Sequence, residues 1–225
     1  MLEIICTDLN DAIAAEHGGA DRIELISRFD LGGLTPPMAT IESVLAAVNI
    51  PVRVMVRNVE DFCLKDKQSR ADIVATARAV SSLHPDGIVC GFLDGESLDL
   101  DLLKEVVEAA SPVKITFHRA FEQLSDPFDA LLQLKRFSEI DTVLTSGGNR
   151  PERFGLMGRL VAEAAPEIRI LAGGGMTMDL MRELHSRSGV RDFHFGTAVR
   201  EGKRLDGKVL PEQVSQLRQI LESLM

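Results

Sequence analysis

The sequence predicts an α/β fold, a single (β/α)8 TIM-like barrel, filling residues 1–225 as one unit. Two observations carry that prediction. First, strand-like runs alternate with helical stretches eight times in 225 residues, with no linker, repeat or low-complexity tract between them. Second, the strand runs have one apolar and one charged face, as in Val52-Arg53-Val54-Met55-Val56-Arg57 and Val113-Lys114-Ile115-Thr116-Phe117-His118. Successive side chains on a strand point to opposite faces. The central strands of an open sheet covered by helices on both sides are apolar on both faces. A charged face instead places Val, Ile and Phe outward under a ring of helices and gathers the charges inside a barrel.

The expected strands cover residues 2–6, 22–26, 52–57, 87–92, 113–118, 141–145, 168–172 and 192–195. Asp8 or Asn10 is suited to cap the first helix. Pro36-Pro37, Asp126-Pro127, Arg150-Pro151, Thr177 and Pro211 mark the openings of later ones.

Composition narrows the function. The formal charge is −9 and the pI about 5.1, with no basic footprint for nucleic acid. No apolar stretch is long enough to span a membrane, and the opening Met1-Leu2-Glu3-Ile4-Ile5 lacks the basic start of a secretion signal. A cytoplasmic protein is expected. Cys6, Cys63 and Cys90 lie far apart without C-x-x-C or zinc spacing, and read as free thiols.

Alternation points Glu3, Glu24, Arg53, Met55, Arg57, Lys114, Thr116, His118 and His194 inward. Glu3 and Lys114, early in their strands, suggest a buried structural ion pair or network near the barrel floor. Glu24 and His118, late in theirs, are the candidates for acid–base catalysis at the mouth. Arg57 and Arg119 are candidates for holding an anion. Leu171-Ala172-Gly173-Gly174-Gly175-Met176-Thr177 brings Gly173, Gly174 and Gly175 to the end of strand seven, where backbone N–H groups can approach an anion. Ser146, in Thr145-Ser146-Gly147-Gly148-Asn149, offers a hydroxyl to substrate, or the segment is a loop with an N-terminal cap. His194 reads as a structural barrel histidine, and Glu24 has no evident second carboxylate beside it. The glycines of Gly32-Gly33-Leu34-Thr35-Pro36 and the segment Asp61-Phe62-Cys63-Leu64 form loops able to fold over the mouth.

Several segments together resemble the CutC family. They are Gly18-Gly19-Ala20-Asp21-Arg22-Ile23-Glu24-Leu25, Gly32-Gly33-Leu34-Thr35-Pro36, Asp61-Phe62-Cys63, Thr116-Phe117-His118-Arg119-Ala120-Phe121, Leu144-Thr145-Ser146-Gly147-Gly148 and Ala172-Gly173-Gly174-Gly175. They follow the family's order across nearly the whole chain. The resemblance implies a TIM-like barrel, a cytoplasmic setting, homo-oligomers and a part in copper homeostasis, with copper(I) as the metal. Some relatives carry cysteines at the ends of strands one and two. The matching positions here are Ile5 and Ile26, which offer no ligand atom. Cys63 and Met55 remain as soft metal candidates, with His118 as an imidazole. Three readings stand open: copper homeostasis, a barrel enzyme acting on a small anionic or polyhydroxylated substrate, and a non-catalytic ligand-binding barrel.

Overall fold

Eight parallel strands close into a barrel in the computed structural model, which describes residues 1–148 and 152–225. The strands are β1 (Leu2–Cys6), β2 (Arg22–Leu25), β3 (Val52–Met55), β4 (Gly87–Cys90), β5 (Lys114–Phe117), β6 (Ile140–Thr145), β7 (Arg169–Ala172) and β8 (Asp192–Phe195). Each pairs with its neighbour in chain order, and β1 closes the ring against β8 through Glu3↔His194.

Eight helices surround the strands: α1 (Leu9–His17), α2 (Met38–Ala47), α3 (Lys67–Ser81), α4 (Leu100–Ala110), α5 (Pro127–Leu134), α6 (Arg153–Ala164), α7 (Met178–Ser188) and α8 (Pro211–Leu224). Asp8 caps α1 by accepting from the Asp11 N–H, and Asp126 and Thr177 cap α5 and α7 in the same way. Pro127 and Pro211 open their helices, where the missing N–H costs nothing. Arg150-Pro151, the expected opening of α6, lies outside the described residues, as does Asn149.

The alternation sorts the apolar residues as the pattern demands. Ile4, Cys6, Ile23, Leu25, Val52, Val54, Ile115 and Phe117 face outward into one buried layer under the helices. Ile5, Ile26, Met55 and Val89 face inward as a separate small cluster, with Phe29 packed on it.

The inward charges need partners, because burying an unpaired charge is costly. Arg53 is 1% exposed and fully engaged. Its guanidinium donates to Asp86 (2.9 Å), Asp141 (2.6 and 2.8 Å), Thr116 (2.8 Å) and Thr142 (3.2 Å). Gly87, opposite Arg53 in register, leaves room for this side chain.

The expected Glu3–Lys114 pair does not form. Glu3 is bound by Arg22 on β2 and His194 on β8, its register partners on either side. Lys114 reaches the exposed rim and donates to the Ser138 carbonyl at 3.2 Å. Arg22 shares the parity of Glu24, and adjacency in the barrel brings it to Glu3 where the distant Lys114 cannot reach.

Strands β2, β3 and β5 end before the alternating runs do. The Arg57 N–H donates to Thr35 Oγ1 at 2.9 Å, outside any ladder, so Arg57 belongs to the loop after β3. His118 follows β5 and caps a 3-10 turn, Arg119–Gln123, through its Nδ1. A short hairpin, Leu93–Asp94 against Ser97–Leu98, follows β4 and was not foreseen from the alternation.

Candidate functional site

A cavity of about 480 Å³ opens at the C-terminal ends of the strands. Barrel enzymes place their chemistry at that end. Strand β1 contributes Ile5, β2 Glu24, β3 Met55, β6 Leu144 and β8 His194. The loops add Phe29, Leu31 and Gly32 after β2, Arg57 and Phe62 after β3, and His118, Arg119 and Glu122 after β5. Gly174 and Gly175 follow β7, Gly196 and Thr197 follow β8, and the exposed Leu205 lies further along that last loop. At Gly196 an added Cβ would sit 2.6 Å from the Phe29 ring, so only a glycine lets the loops after β2 and β8 meet there.

Glu24 is 3% exposed and makes no hydrogen bond among the described residues. Its Oε2 lies 3.6 Å from His194 Nε2, and its Oε1 has no partner among the described residues. Burial raises its pKa to about 7; the nearby Glu3 charge adds to the rise, while His194 and Arg22 oppose it. Behind it runs a buried chain: His194 Nδ1 meets Glu3 Oε1 at 2.8 Å, and the other Glu3 oxygen accepts from Arg22 Nε. For Glu3 burial works against ionisation, but Arg22, His194 and Arg53 bring its pKa down to about 2. For His194 burial favours the neutral ring, yet Glu24 and Glu3 hold its pKa above the ordinary value. Thus Glu3 stays ionised, while Glu24 titrates near neutrality beside a His194 whose protonated form its two carboxylate neighbours favour.

His118 has the opposite character. Its Nδ1 accepts the Ala120 N–H at 3.2 Å, so the neutral ring carries its hydrogen on Nε2. That buried Nε2 has no partner among the described residues. Burial, then the charges of Arg57 and Arg119, lowers its pKa to about 3. Phe62 packs against the imidazole at 4.9 Å with the rings tilted by 54°, and the Arg57 guanidinium lies 4.7 Å over Phe62.

Arg57 donates to the carbonyls of Leu31 (3.2 Å), Gly33 (3.1 Å) and Glu60. No carboxylate pairs with it among the described residues, and its Nε is buried without a partner. Carbonyls fix its position, and the carboxylate that acts on it, Glu60, does so through its charge without a direct ion pair. Arg119 differs: Glu122 accepts from it at 2.8 and 3.0 Å and also takes the Ser146 N–H at 2.7 Å.

Of the residues singled out in the sequence, Glu24, His118, Arg57, Arg119, Gly174, Gly175 and Met55 meet on the cavity wall. Ser146, Gly173 and Cys63 do not line it. The Ser146 hydroxyl accepts from the Gly148 N–H at 3.1 Å, closing a turn. Gly173 packs on Leu144 and His194, where a Cβ would fall 2.6 Å from the former. Two further ionisable side chains stand on the wall: His194, expected as a structural histidine, and Glu122, which the strand alternation does not reach. His194 shares the inward parity already assigned to it. Glu122, a second carboxylate at the mouth, lies three residues after Arg119 in a turn whose direction alternation does not set.

The family model described as the CutC family matches residues 1–199. The chain belongs to the CutC family. A copper homeostasis protein cutC homolog of Homo sapiens is 36% identical over 199 residues, which cover 86% of this chain and 72% of that one. A family protein CutC of Mesorhizobium japonicum is 34% identical, covering 87% of this chain and 76% of its own. The crystal structure of a copper homeostasis protein CutC from Streptococcus agalactiae superposes with a TM-score of 0.79 at 23% identity, covering 91% of this chain and 99% of that one; this likeness establishes the fold.

The donors of this CutC chain do not fit the copper(I) that the family name suggests. Cys6 and Cys90 are buried in the outer layer beneath the helices, and burial raises both thiols, Cys90 to about 12. Copper(I) takes thiolate, which those sites disfavour. Cys63 packs against the outer layer, away from the cavity wall, which leaves two thioethers there as soft donors, Met55 beside Ile5 and Ile26, and Met176. Among the described residues no group of three or more His, Cys, Asp and Glu side chains is arranged to hold a metal.

Proposed function

We infer that this CutC-family barrel is an enzyme that performs acid–base chemistry on a small anionic metabolite at its mouth. Glu24 transfers the proton. His194, held by Glu3, which Arg22 anchors in turn, neighbours it and moderates the rise in pKa that burial imposes. Arg57 supplies positive charge to the substrate, and Gly174 and Gly175 let its polar end approach the backbone. One observation carries the reading: a buried carboxyl on the cavity wall, without a hydrogen bond among the described residues, and pushed by burial to a pKa of about 7. A group that titrates near the working pH is suited to give and take protons.

The name of the relatives, copper homeostasis protein, favours direct metal handling instead. The donor set described above weighs against that route in this chain. The free thiols suit a reducing compartment such as the cytoplasm.

A thermal-shift screen with phosphorylated, carboxylated and polyhydroxylated metabolites tests the proposal. A true ligand at 100 times its Kd should add about 2.7 kcal/mol to stability. Arg57→Ala should abolish that gain. If no such compound stabilises the protein while copper(I) does so stoichiometrically, the metal reading replaces this one.

A further inference from the structure

Besides Arg57 Nε, two buried polar atoms on the cavity wall, Glu24 Oε1 and His118 Nε2, lack partners among the described residues, and their chemistry is complementary. Glu24 Oε1 is a proton acceptor once its carboxyl is ionised. His118 Nε2 carries a hydrogen, because the Ala120 N–H occupies Nδ1. A buried polar atom without a partner costs free energy that a ligand can recover by hydrogen-bonding to it. The His118 ring is also fixed. An added Cβ on Gly91 would lie 2.6 Å from Nδ1 and 2.7 Å from Cε1, so that edge is seated on the backbone of the loop after β4. Phe62 packs on the ring as well.

We propose that the cavity takes a carbonyl compound with a C–H beside the carbonyl, and that His118 Nε2–H holds the carbonyl oxygen while Glu24 removes the carbon-bound proton. This rests on the reading of Glu24 as the proton-transferring group, and adds the substrate class and the electrophile. In the step, the C–H bond breaks to Glu24. Its electron pair forms a C=C bond, and the carbonyl π pair moves onto the oxygen facing Nε2–H. Glu24 then returns the proton to the same carbon. With a hydroxycarbonyl it can instead return it to the old carbonyl carbon, while the hydroxyl proton crosses to the old carbonyl oxygen. No oxidant or further reactant is required.

A neutral imidazole is the appropriate donor for this role. An imidazolium would surrender its proton to the enolate and trap it, whereas a neutral N–H stabilises the developing charge and keeps its hydrogen. Arg57 and Arg119, the cationic groups near the ring, both work against an imidazolium there.

Proton NMR in D2O tests the proposal, with the full-length protein and dihydroxyacetone phosphate, glyceraldehyde 3-phosphate, ribose 5-phosphate, pyruvate and oxaloacetate as probes. The wild type should exchange a C–H for C–D in at least one of them. His118→Phe keeps an aromatic ring on Phe62 and removes the donor. It should slow the exchange about 100- to 1000-fold while probe affinity changes by less than about tenfold. His118→Gln, which restores a neutral N–H, should recover part of the loss. A purely structural role for His118 predicts parallel losses in folding, binding and exchange, with no rescue by Gln. Absence of exchange in every probe overturns the proposal. Binding or other turnover that depends on Glu24 without C–H exchange overturns it too, but leaves the acid–base reading intact. A cavity that binds none of the probes and shows no dependence on Glu24 removes both.

Discussion

Glu24 carries its proton in a place where a charge has little support. The nearest cation-forming group, His194, stands 3.6 Å away and is already hydrogen-bonded to Glu3. In the unfolded chain the same carboxyl titrates near its ordinary 4.5, against about 7 in the folded protein. Below 4.5 both states hold the proton. Between 4.5 and 7 the folded state keeps it and the unfolded state loses it, so stability from this group falls as pH rises and is gone above 7. The shift corresponds to roughly 3 kcal/mol, at about 1.4 kcal/mol per pKa unit. A Glu24→Gln variant lacks that titration. Urea unfolding at pH 5 and pH 8 should therefore find the variant gaining on the wild type with rising pH. A constant difference across that interval would mean that Glu24 is ionised throughout. Catalysis runs the other way: ionised Glu24 is the base, so the activity should rise through pH 7.

At the scale of the strand, the barrel interior depends on where side chains are absent as much as on where they are present. Gly87 on β4 faces Arg53 on β3 and Lys114 on β5 in register. An added Cβ would fall 2.3 Å from the Lys114 carbonyl oxygen and 3.2 Å from Arg53 Nε. Gly87→Ala must therefore push β5 away or disturb the guanidinium and its bonds to Asp86 and Asp141. A loss of about 1–3 kcal/mol is expected from such overpacking. It would appear as a lower urea midpoint at unchanged slope. A change below about 0.5 kcal/mol, the usual range for surface substitutions, would contradict the crowding. The same strands explain what could be read in advance. Period-two alternation fixes the face of each residue, so Ile5 and Cys6 were separable from the sequence: one lies in the inner cluster, the other in the outer layer. Alternation does not say which strands touch across the interior. It therefore allows a Lys114–Glu3 pair that the fold does not make, because closure of β1 between β2 and β8 brings Arg22 and His194 to Glu3. Past the last ladder bond it also loses force. Arg57, Phe62 and Glu122 are placed by loop hydrogen bonds and ring contacts that no periodicity encodes.

For the molecule as a whole, the family name and the donor chemistry make different demands. A copper(I) carrier needs thiolates or thioethers gathered at one accessible place. This barrel spreads its cysteines instead: Cys6 on β1, Cys90 on β4 and Cys63 in the loop after β3, with the first two buried and their thiols held protonated. At the mouth it gathers hard and ionisable groups, Glu24, His194, His118 and Arg57, around a small apolar patch. A proton-transfer site needs that mixture, since the apolar patch raises the carboxyl and the fixed charges tune its neighbours. Competition between the reduced protein and a copper(I) chelator decides between the two demands. The protein should withdraw no more copper(I) than an unrelated protein with the same number of reduced thiols. Stoichiometric withdrawal, lost in Cys63→Ser or Met55→Leu but kept in Glu24→Gln, would place the metal at the mouth and make the protonated carboxyl incidental. Metal bound equally by all three variants would place it elsewhere in the chain, where the buried thiols of Cys6 and Cys90 would first have to become exposed.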